Sequence, residues 1–258
     1  MGQNHDFSYA TYRAMLERFQ AEGYRFAAFT EAESLLQQES RFVLLRHDID
    51  LDPAKALPMA RIEAEAGIRA TWFFRVSSDH HNVFSGEGSS VVREILEQGH
   101  HFGLHFDCAA YPADTTVDEF ARFCRLEAQL LETWFGRTVS VVSFHRPGPL
   151  VLSGNAALTA PLKHTYMREF TRSILYLSDS RGEFRFGFPT ESEAFREGRP
   201  LHVLVHPIWW NERPTAPYPT LRQFVQRHQA AFERSLARDC PAVFPVEGQD
   251  DESPGGRA

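Results

Sequence analysis

The sequence lacks several features that would assign it to a specialised class of protein. It has three cysteines, Cys108, Cys124 and Cys240, and this odd, scattered set indicates reduced thiols rather than a disulfide framework. No stretch approaches the ~18 consecutive apolar residues of a membrane-spanning helix. The first residues show no basic segment followed by an apolar run, so no signal peptide is predicted. We therefore expect a cytoplasmic protein that does not insert into a membrane.

Basic residues are also scarce in this chain. The 27 Lys and Arg residues against 34 Asp and Glu residues give a net charge of −7. The sequence has no basic stripe, which argues against a nucleic-acid partner. Hydrophobic residues make up 43% of the 258 residues, enough to bury one sizeable core. We expect a small-molecule or oligosaccharide substrate as the partner, and the sequence indicates no oligomeric state.

Short β-branched or aromatic runs alternate with helical stretches along most of the chain. Strands separated by helices predict parallel βαβ units, arranged either as an open doubly wound sheet or as a closed (β/α) barrel. We expect an N-terminal extension over 1–40 packed on a single main domain over 41–246, followed by a disordered polar tail over 247–258. The predicted strands are 41–47, 70–76, 101–107, 139–145, 173–178 and 201–206, and the predicted helices are 8–22, 52–67, 89–98, 116–135 and 219–238.

Polar residues follow several of these strands, where both architectures place their binding sites. Side chains alternate faces along a strand, so Arg46, Asp48 and Asp50 share one face. Two carboxylates so close together need a compensating cation, either a metal ion or Arg46. The simpler alternative is a solvated acidic turn that leads into the helix start at Asp52.

The same alternation gives the strand 101–107 a column of groups that can bind a metal. His101, His105 and Asp107 share a face. In the segment SFHRPGP, only one of His145 and Arg146 can face the site while the strand stays regular. Arg146 is then either a surface ion pair or the partner of a buried carboxylate.

Two further strands end in groups that can carry acid–base chemistry. Asp179 follows one of them, which by itself is an ordinary turn signal. His206 ends the other and is followed by Trp209 and Trp210, an arrangement typical of an acid or base beside an aromatic wall that holds a sugar. A capped core strand with aromatic packing is the alternative.

Together these segments resemble the polysaccharide deacetylase family, also called the NodB-homology domain or carbohydrate esterase family 4. The resemblance covers about residues 41–210 and implies a distorted (β/α) barrel of about seven parallel strands. ATWFF resembles the family's second strand, and five motifs occur in the family's order: RHDID, GHHFGLH, HRPGP, SDS and LVHP.

The resemblance implies a metal-dependent hydrolase that removes an N-acetyl or other acyl group from a sugar or glycan precursor. The implied metal ligands are Asp50 and His105. The implied catalytic residues are the base Asp48, its orienting arginine Arg146, the carboxylate Asp179 that tunes the acid, and the general acid His206. We assign Trp209, Trp210 and His145 to substrate binding.

One position departs from the family pattern. Ala109 stands where the family has its second metal histidine. Asp107 or His101 could supply the third ligand, and we favour Asp107 because it lies nearer the end of its strand. Two carboxylates with one imidazole would favour manganese or iron over zinc, and a metal that is weakly held or absent is the remaining alternative.

Two other functions fit the same sequence. A pocket closed by His80, His81 and Phe84 would favour hydrolysis of a small cyclic amide or ureide. A non-catalytic glycan-binding relative would explain Ala109, although it has no evident use for an acid, a base and their orienting partners.

Overall fold

The computed structural model describes residues 5–244, and its central element is a sheet of eight strands that all run parallel. The strands are β1 (Arg25–Phe26), β2 (Phe42–Ile49), β3 (Thr71–Phe74), β4 (His101–Asp107), β5 (Val141–His145), β6 (Lys163–His164), β7 (Leu175–Ser178) and β8 (Leu201–Val205). The helices are α1 (Tyr9–Ala21), α2 (Ala32–Gln37), α3 (Ala56–Glu65), α4 (Gly86–Glu97), α5 (Val117–Phe135), α6 (Pro149–Leu152), α7 (Arg168–Thr171), α8 (Glu193–Arg196) and α9 (Pro217–Asp239). The predicted tail at 247–258 lies outside the described residues.

The strand order explains how distant segments meet. The hydrogen-bonded path runs β6-β5-β4-β3-β2-β8-β7, and β1 pairs with β2 beside this path. Strands β2 to β6 therefore lie in sequence order, while β8 returns to the other side of β2. This curled parallel sheet with intervening helices confirms the predicted α/β fold, a distorted (β/α) barrel of about seven strands.

The chain divides into two compact units. The first, Met1–Thr215, contains the whole sheet, and the second, Ala216–Ala258, contains α9. The segment before residue 41 belongs to the first unit, because β1 pairs with the start of β2. Within residues 5–244, no helix has both the length and the apolar character needed to cross a bilayer.

The helix ends follow local sequence signals. Ser8 accepts a hydrogen bond from the backbone N–H of Thr11 and so caps α1. Thr116 and Glu119 form a reciprocal capping box at the start of α5. Gly136 ends the same helix with a left-handed φ of 63°, a conformation that favours glycine.

The alternation along β2 separates a mainly apolar face, interrupted by His47, from a face that carries the candidate site residues. Val43, Leu45 and Ile49 pack in the larger core together with residues of α1, α3, α4 and α5. Phe42 and Leu44 lie on the opposite, inner face and pack in a smaller core inside the curl of the sheet. Residues 46 and 48 continue that inner face toward the C-terminal ends of the strands, so the small core forms the floor beneath the polar groups.

Candidate active site

A cavity of about 390 Å³ lies at the C-terminal ends of the strands. Seven of the predicted site residues line it: Asp48, Asp50, His105, His145, Arg146, His206 and Trp209. Residues that the sequence did not single out complete the wall, among them Tyr166, Tyr176 and Arg181. The strand-end pattern therefore predicted the place of the cavity, and the pairing of groups inside it comes from the structure.

Asp48 lies on the inner face of β2 and is held by the arginine two residues before it. Arg46 donates from Nε to Oδ1 of Asp48 at 3.1 Å and from Nη2 to Oδ2 at 2.7 Å. Both side chains are buried. Burial opposes ionisation of Asp48, but the Arg46 guanidinium, together with His105 and His206, outweighs it and lowers the pKa of that carboxyl. Asp48 is therefore a carboxylate fixed in one orientation.

Three potential metal ligands converge beside Asp48. Among the residues described, Asp50, His105 and His145 form a group whose ligand atoms all lie within 4.8 Å of one another. Oδ1 of Asp50 is 2.8 Å from Nε2 of His105 and 3.1 Å from Nδ1 of His145. Burial opposes ionisation of Asp50, but the neighbouring histidines outweigh it and keep the pKa of this carboxyl well below the usual range. A possible His/Asp metal site is thus present.

A buried hydroxyl links this group to Asp48. Ser143 donates from Oγ to Oδ1 of Asp48 at 3.3 Å, and its Oγ lies 2.6 Å from Nδ1 of His105. Because the single hydroxyl proton points at the carboxylate, Ser143 accepts from the Nδ1–H of His105. This tautomer, which the network assigns, leaves the Nε2 lone pair of His105 facing Asp50.

The donor set fits a cation. In the tautomer set by Ser143, Nε2 of His105 and Oδ1 of Asp50 are both hydrogen-bond acceptors, and Nδ1 of His145 lies beside the same oxygen. One proton can bridge only two of these three atoms, whereas a metal ion can be coordinated by all three. One carboxylate and two imidazoles are a ligand set that zinc accepts readily.

His206 lies across from these ligands and is backed by a buried carboxylate. Its Nδ1 is 2.6 Å from Oδ1 of Asp179, and its Nε2 is 3.7 Å from Oδ2 of Asp50. Burial alone would lower the pKa of His206, but Asp179, assisted by Asp50 and Asp48, outweighs it and raises the pKa to about 9. His206 is therefore cationic at neutral pH, with Nε2 on the cavity side.

Asp179 is held by more than the imidazole. The backbone N–H of His206 lies 3.0 Å from both of its oxygens, and Nε1 of Trp210 donates to Oδ2 at 2.9 Å. This corrects the assignment of Trp210 to substrate binding, because the indole is fully buried and packs against Tyr12. Trp209 lines the cavity.

Asp107 and Arg146 have different partners from those predicted. Asp107 is held by Arg75 and by Nη2 of Arg146 at 2.7 Å, and it caps the following turn through the N–H of Ala109 at 3.0 Å. With two guanidinium partners, Asp107 does not join the metal group; His145 takes that place. Arg146 pairs with Asp107 rather than Asp48, since Arg46 already occupies both oxygens of Asp48.

The loop whose closure over the site would have favoured a cyclic amide or ureide hydrolase does not line the cavity. His80, His81 and Phe84 do not line the cavity. His81 lies 3.2 Å from the carbonyl oxygen of Leu51 through Nδ1, and Phe84 packs on the ring of Trp134.

Ser143, Arg75 and Arg181 were not predicted from the sequence. Ser143 could have been found, because it shares a strand face with His145 two residues later. Arg75 lies beyond the last residue of β3, and its bond to the Asp50 carbonyl oxygen at 3.1 Å depends on how neighbouring strands align. Arg181 stands in a turn whose sequence gives no direction for its side chain.

Comparison with known proteins gives matches among solved structures only. No family model matches the sequence, and no curated protein matches it. A mutant of BA3943, described as a CE4 family pseudoenzyme with restored enzymatic activity, is 12% identical with a TM-score of 0.45, over 74% of this chain and 64% of that one. The present chain thus corresponds to less than two thirds of the BA3943 chain.

Two further matching structures are described as enzymes. The chitin deacetylase of the fungal pathogen Colletotrichum lindemuthianum is 14% identical with a TM-score of 0.44, over 80% of this chain and 87% of that one. A family 4 acetyl xylan esterase from Clostridium thermocellum, in complex with a cobalt ion, is 13% identical with a TM-score of 0.38, over 73% and 84%. At these identities and TM-scores the likeness assigns no function, so the chemistry has to follow from the side chains of the site.

Proposed function

We propose that this chain is a metal-dependent hydrolase that removes an N-acetyl or other acyl group from a sugar or glycan precursor. One observation carries the proposal: an ionised carboxylate, a three-residue metal group and a cationic imidazole all face one cavity. Hydrolysis of an acyl group needs a base for water, a stabiliser for the developing oxyanion and an acid for the leaving group. The cavity offers a candidate for each.

The metal would be held by Asp50, His105 and His145. A divalent metal bound there supplies a Lewis acid, which lowers the pKa of water and stabilises negative charge on the acyl oxygen. The two imidazoles and one carboxylate favour zinc, in place of the manganese or iron expected from a set with two carboxylates. Ser143 supports the site by fixing the ring orientation of His105.

Asp48 is the proposed base. Its carboxylate lines the cavity and is ionised, and the paired guanidinium of Arg46 keeps it from rotating. A water molecule that attacks the acyl carbon would give its proton to this carboxylate. Arg46 therefore takes the orienting role that the motif resemblance implied for Arg146.

His206 is the proposed acid. Asp179 binds Nδ1, so the proton on Nε2 is the one available to the leaving amine or alcohol. A pKa raised to about 9 keeps that proton in place at neutral pH. After the acyl–nitrogen or acyl–oxygen bond breaks, acetate and a free amine or hydroxyl would be the products.

The cavity wall suits a sugar ring. Tyr166, Tyr176 and Trp209 contribute aromatic surface, and the polar groups lie along one side. Such a mixture of apolar wall and few directed polar groups is common in small-molecule sites. Because His145 supplies the second imidazole that Ala109 does not, the departure at Ala109 no longer favours a non-catalytic relative.

The test is acetate release from N-acetylated sugars by the purified, metal-loaded protein. Asp48→Asn should lower turnover by roughly two to four orders of magnitude, since it removes a general base. Asp114→Asn, the same change at an exposed aspartate, is the matched control and should leave turnover unchanged. Near-normal turnover of Asp48→Asn would remove the base assignment, and no acetate release from any acylated sugar would contradict the proposed function.

A further inference from the structure

Two arginines stand at the rim of the cavity in an unusual backbone conformation. Arg146 and Arg181 both line the cavity, and both are exposed. Their φ angles are 53° and 66°, in the left-handed region that favours glycine. Over residues 5–244, Glu39 is the one other non-glycine residue with positive φ. Strained backbone of this kind concentrates at functional sites, so these two arginines are candidates for ligand binding.

The turn that carries Arg181 is anchored to the candidate acid. The backbone N–H of Gly182 donates to the carbonyl oxygen of Asp179 at 2.9 Å, and the side chain of Asp179 holds His206. The backbone of Arg181 is therefore anchored close to His206. Its guanidinium has no hydrogen bond or ion pair with any residue that the structure describes; the nearby Glu183 pairs with Arg185 at 3.6 Å.

Arg146 has N–H donors that are not used in its bond to Asp107. One of its nitrogens, Nη2, binds Asp107, and the side chain is still 56% exposed. A guanidinium carries five N–H donors in a planar fork, so several remain for a ligand at the rim.

Within residues 5–244, one arginine of the cavity lining has no partner of opposite charge. Three other lining groups each have a direct ion partner behind the lining: Asp48 pairs with Arg46, Arg146 with Asp107, and His206 with Asp179. Arg181 has no such partner among the residues described. An unpaired guanidinium at the edge of a cavity attracts an anion.

We propose that the rim is an anion subsite, in which Arg181, assisted by Arg146, binds a phosphate or carboxylate carried by the acylated sugar. The proposal rests on the proposed function and narrows its substrate class from any acylated sugar to an anionic one. Guanidinium groups bind both anions through paired, charge-assisted hydrogen bonds. Arg181 is a specificity-determining residue here, with no part in the bond-breaking step.

The first experiment compares three substrates that differ in charge. Acetate release is measured with neutral N-acetylglucosamine, with its 1-phosphate and with N-acetylmuramic acid, which carries a carboxylate. We expect kcat/KM for at least one anionic sugar to exceed that for the neutral sugar by about tenfold or more, the scale of one hydrogen bond to a charged group. Equal or better turnover of the neutral sugar would overturn the anion subsite.

Variants locate the effect. Arg181→Gln should reduce the preference for the anionic sugar, and the loss should fall mainly on KM. Arg137→Gln makes the same change in net charge at an exposed arginine that precedes β5, at the opposite end of the strands, and should keep the wild-type preference. A preference that persists in Arg181→Gln, or falls equally in Arg137→Gln, would contradict the role of Arg181.

A glycine pair separates the side chain from its backbone strain. Arg181→Gly removes the guanidinium while suiting the left-handed backbone, so the anion preference should fall although folding is kept. Glu39→Gly relieves the same kind of backbone strain outside the cavity lining and should not change the preference. Loss of the preference in Glu39→Gly would show that strain, and not the Arg181 side chain, controls it.

Binding distinguishes failure of this inference from failure of the proposed function. Calorimetric titration of N-acetylglucosamine 1-phosphate into Asp48→Asn needs no turnover. Binding that depends on Arg181, with no acetate released from any sugar, would support the subsite and reject the hydrolase. Acetate release with no anion preference would support the hydrolase and reject the subsite. Neither acetate release nor binding that depends on Arg181 would reject the two proposals together.

Discussion

Arg46 and Asp48 form a buried ion pair whose two members lie two residues apart on one strand. Removing one member of such a pair leaves an uncompensated charge in the interior. We expect Arg46→Met to lower the free energy of unfolding by ~3–5 kcal/mol, which urea denaturation would measure. Arg146→Met is the control, with a loss of no more than ~1 kcal/mol, because that side chain is 56% exposed and Asp107 keeps Arg75.

The double variant Arg46→Met/Asp48→Asn completes this test. It removes the orphaned charge, so its stability should recover toward the wild type instead of falling further. Strictly additive losses would contradict a direct pairing of these two side chains.

The third metal ligand gives a second prediction for single residues. His145→Ala should weaken metal affinity by at least ~10–100-fold, since even second-shell partners of a metal site contribute that much. Asp107→Asn should retain the metal, because Asp107 binds two arginines. Elemental analysis after dialysis against a defined metal concentration measures both. Metal lost from Asp107→Asn but kept in His145→Ala would restore the ligand set expected from the sequence.

The positions of the site residues could be predicted from the sequence, but only some of their pairings could. Alternation along a strand puts Asp48, Asp50 and His105 on the inner face from sequence alone. Whether His145 or Asp107 completes the metal group depends on the register between β4 and β5, in which Asp107 lies beside His145. The pairing of Arg46 with Asp48 was one of the alternatives that strand alternation offered, whereas the pairing of Arg146 with Asp107 depends on side-chain reach between neighbouring strands.

At the scale of the elements, β3 and β4 are fitted closely enough for one methyl group to matter. Gly103 lies beside Phe73 in the register of these strands. A Cβ at Gly103 would come within 2.5 Å of the Phe73 ring. We expect Gly103→Ala to destabilise the protein by ~1–3 kcal/mol through overpacking, measured as a lower midpoint of urea unfolding.

Gly86 provides the matched control. A Cβ at this first residue of α4 meets nothing within 4 Å. Gly86→Ala should therefore be neutral or stabilising, since alanine favours a helix over glycine. Equal losses from both variants would mean that the Phe73 contact does not limit residue 103.

The long elements were predictable and the shortest were not. The strand β4 occupies the residues expected for it, because seven residues with clear alternation end in a polar group. The strands β1 and β6 have two residues each, too few for any period, and form only because a neighbouring strand offers free backbone groups. The place of β8 beside β2 is likewise a property of the whole sheet, since 151 residues lie between Ile49, the last residue of β2, and Leu201, the first of β8.

At the scale of the whole molecule, the interior of the sheet contains a histidine that sets a dependence of stability on pH. His202 lies on the inner face of β8 between Leu44 and Tyr176. Burial, helped by the nearby Arg46 guanidinium, lowers the pKa of His202 from 6.5 to about 3. In the folded protein the imidazole therefore stays neutral under mildly acidic conditions.

The direction of the effect follows from where the proton binds. Between pH 6.5 and about 3 the unfolded chain protonates His202 and the folded chain does not, so acid favours unfolding. Each pH unit in this window costs up to ~1.4 kcal/mol, or roughly 2 kcal/mol between pH 6.5 and 5. The pKa values of His100 and His164 are also lowered by burial and act in the same direction.

The His202 imidazole should affect how steeply the free energy of unfolding falls as the pH falls. We expect His202→Gln to lose less stability than the wild type between pH 6.5 and 5, by roughly 2 kcal/mol, even if it is less stable at pH 7. His228→Gln, at an exposed position of α9, should keep the wild-type slope. Urea unfolding at the two pH values measures both. An unchanged slope in His202→Gln would mean that the imidazole takes up a proton in the folded state, so that the floor beneath Arg46 and Asp48 tolerates a further charge.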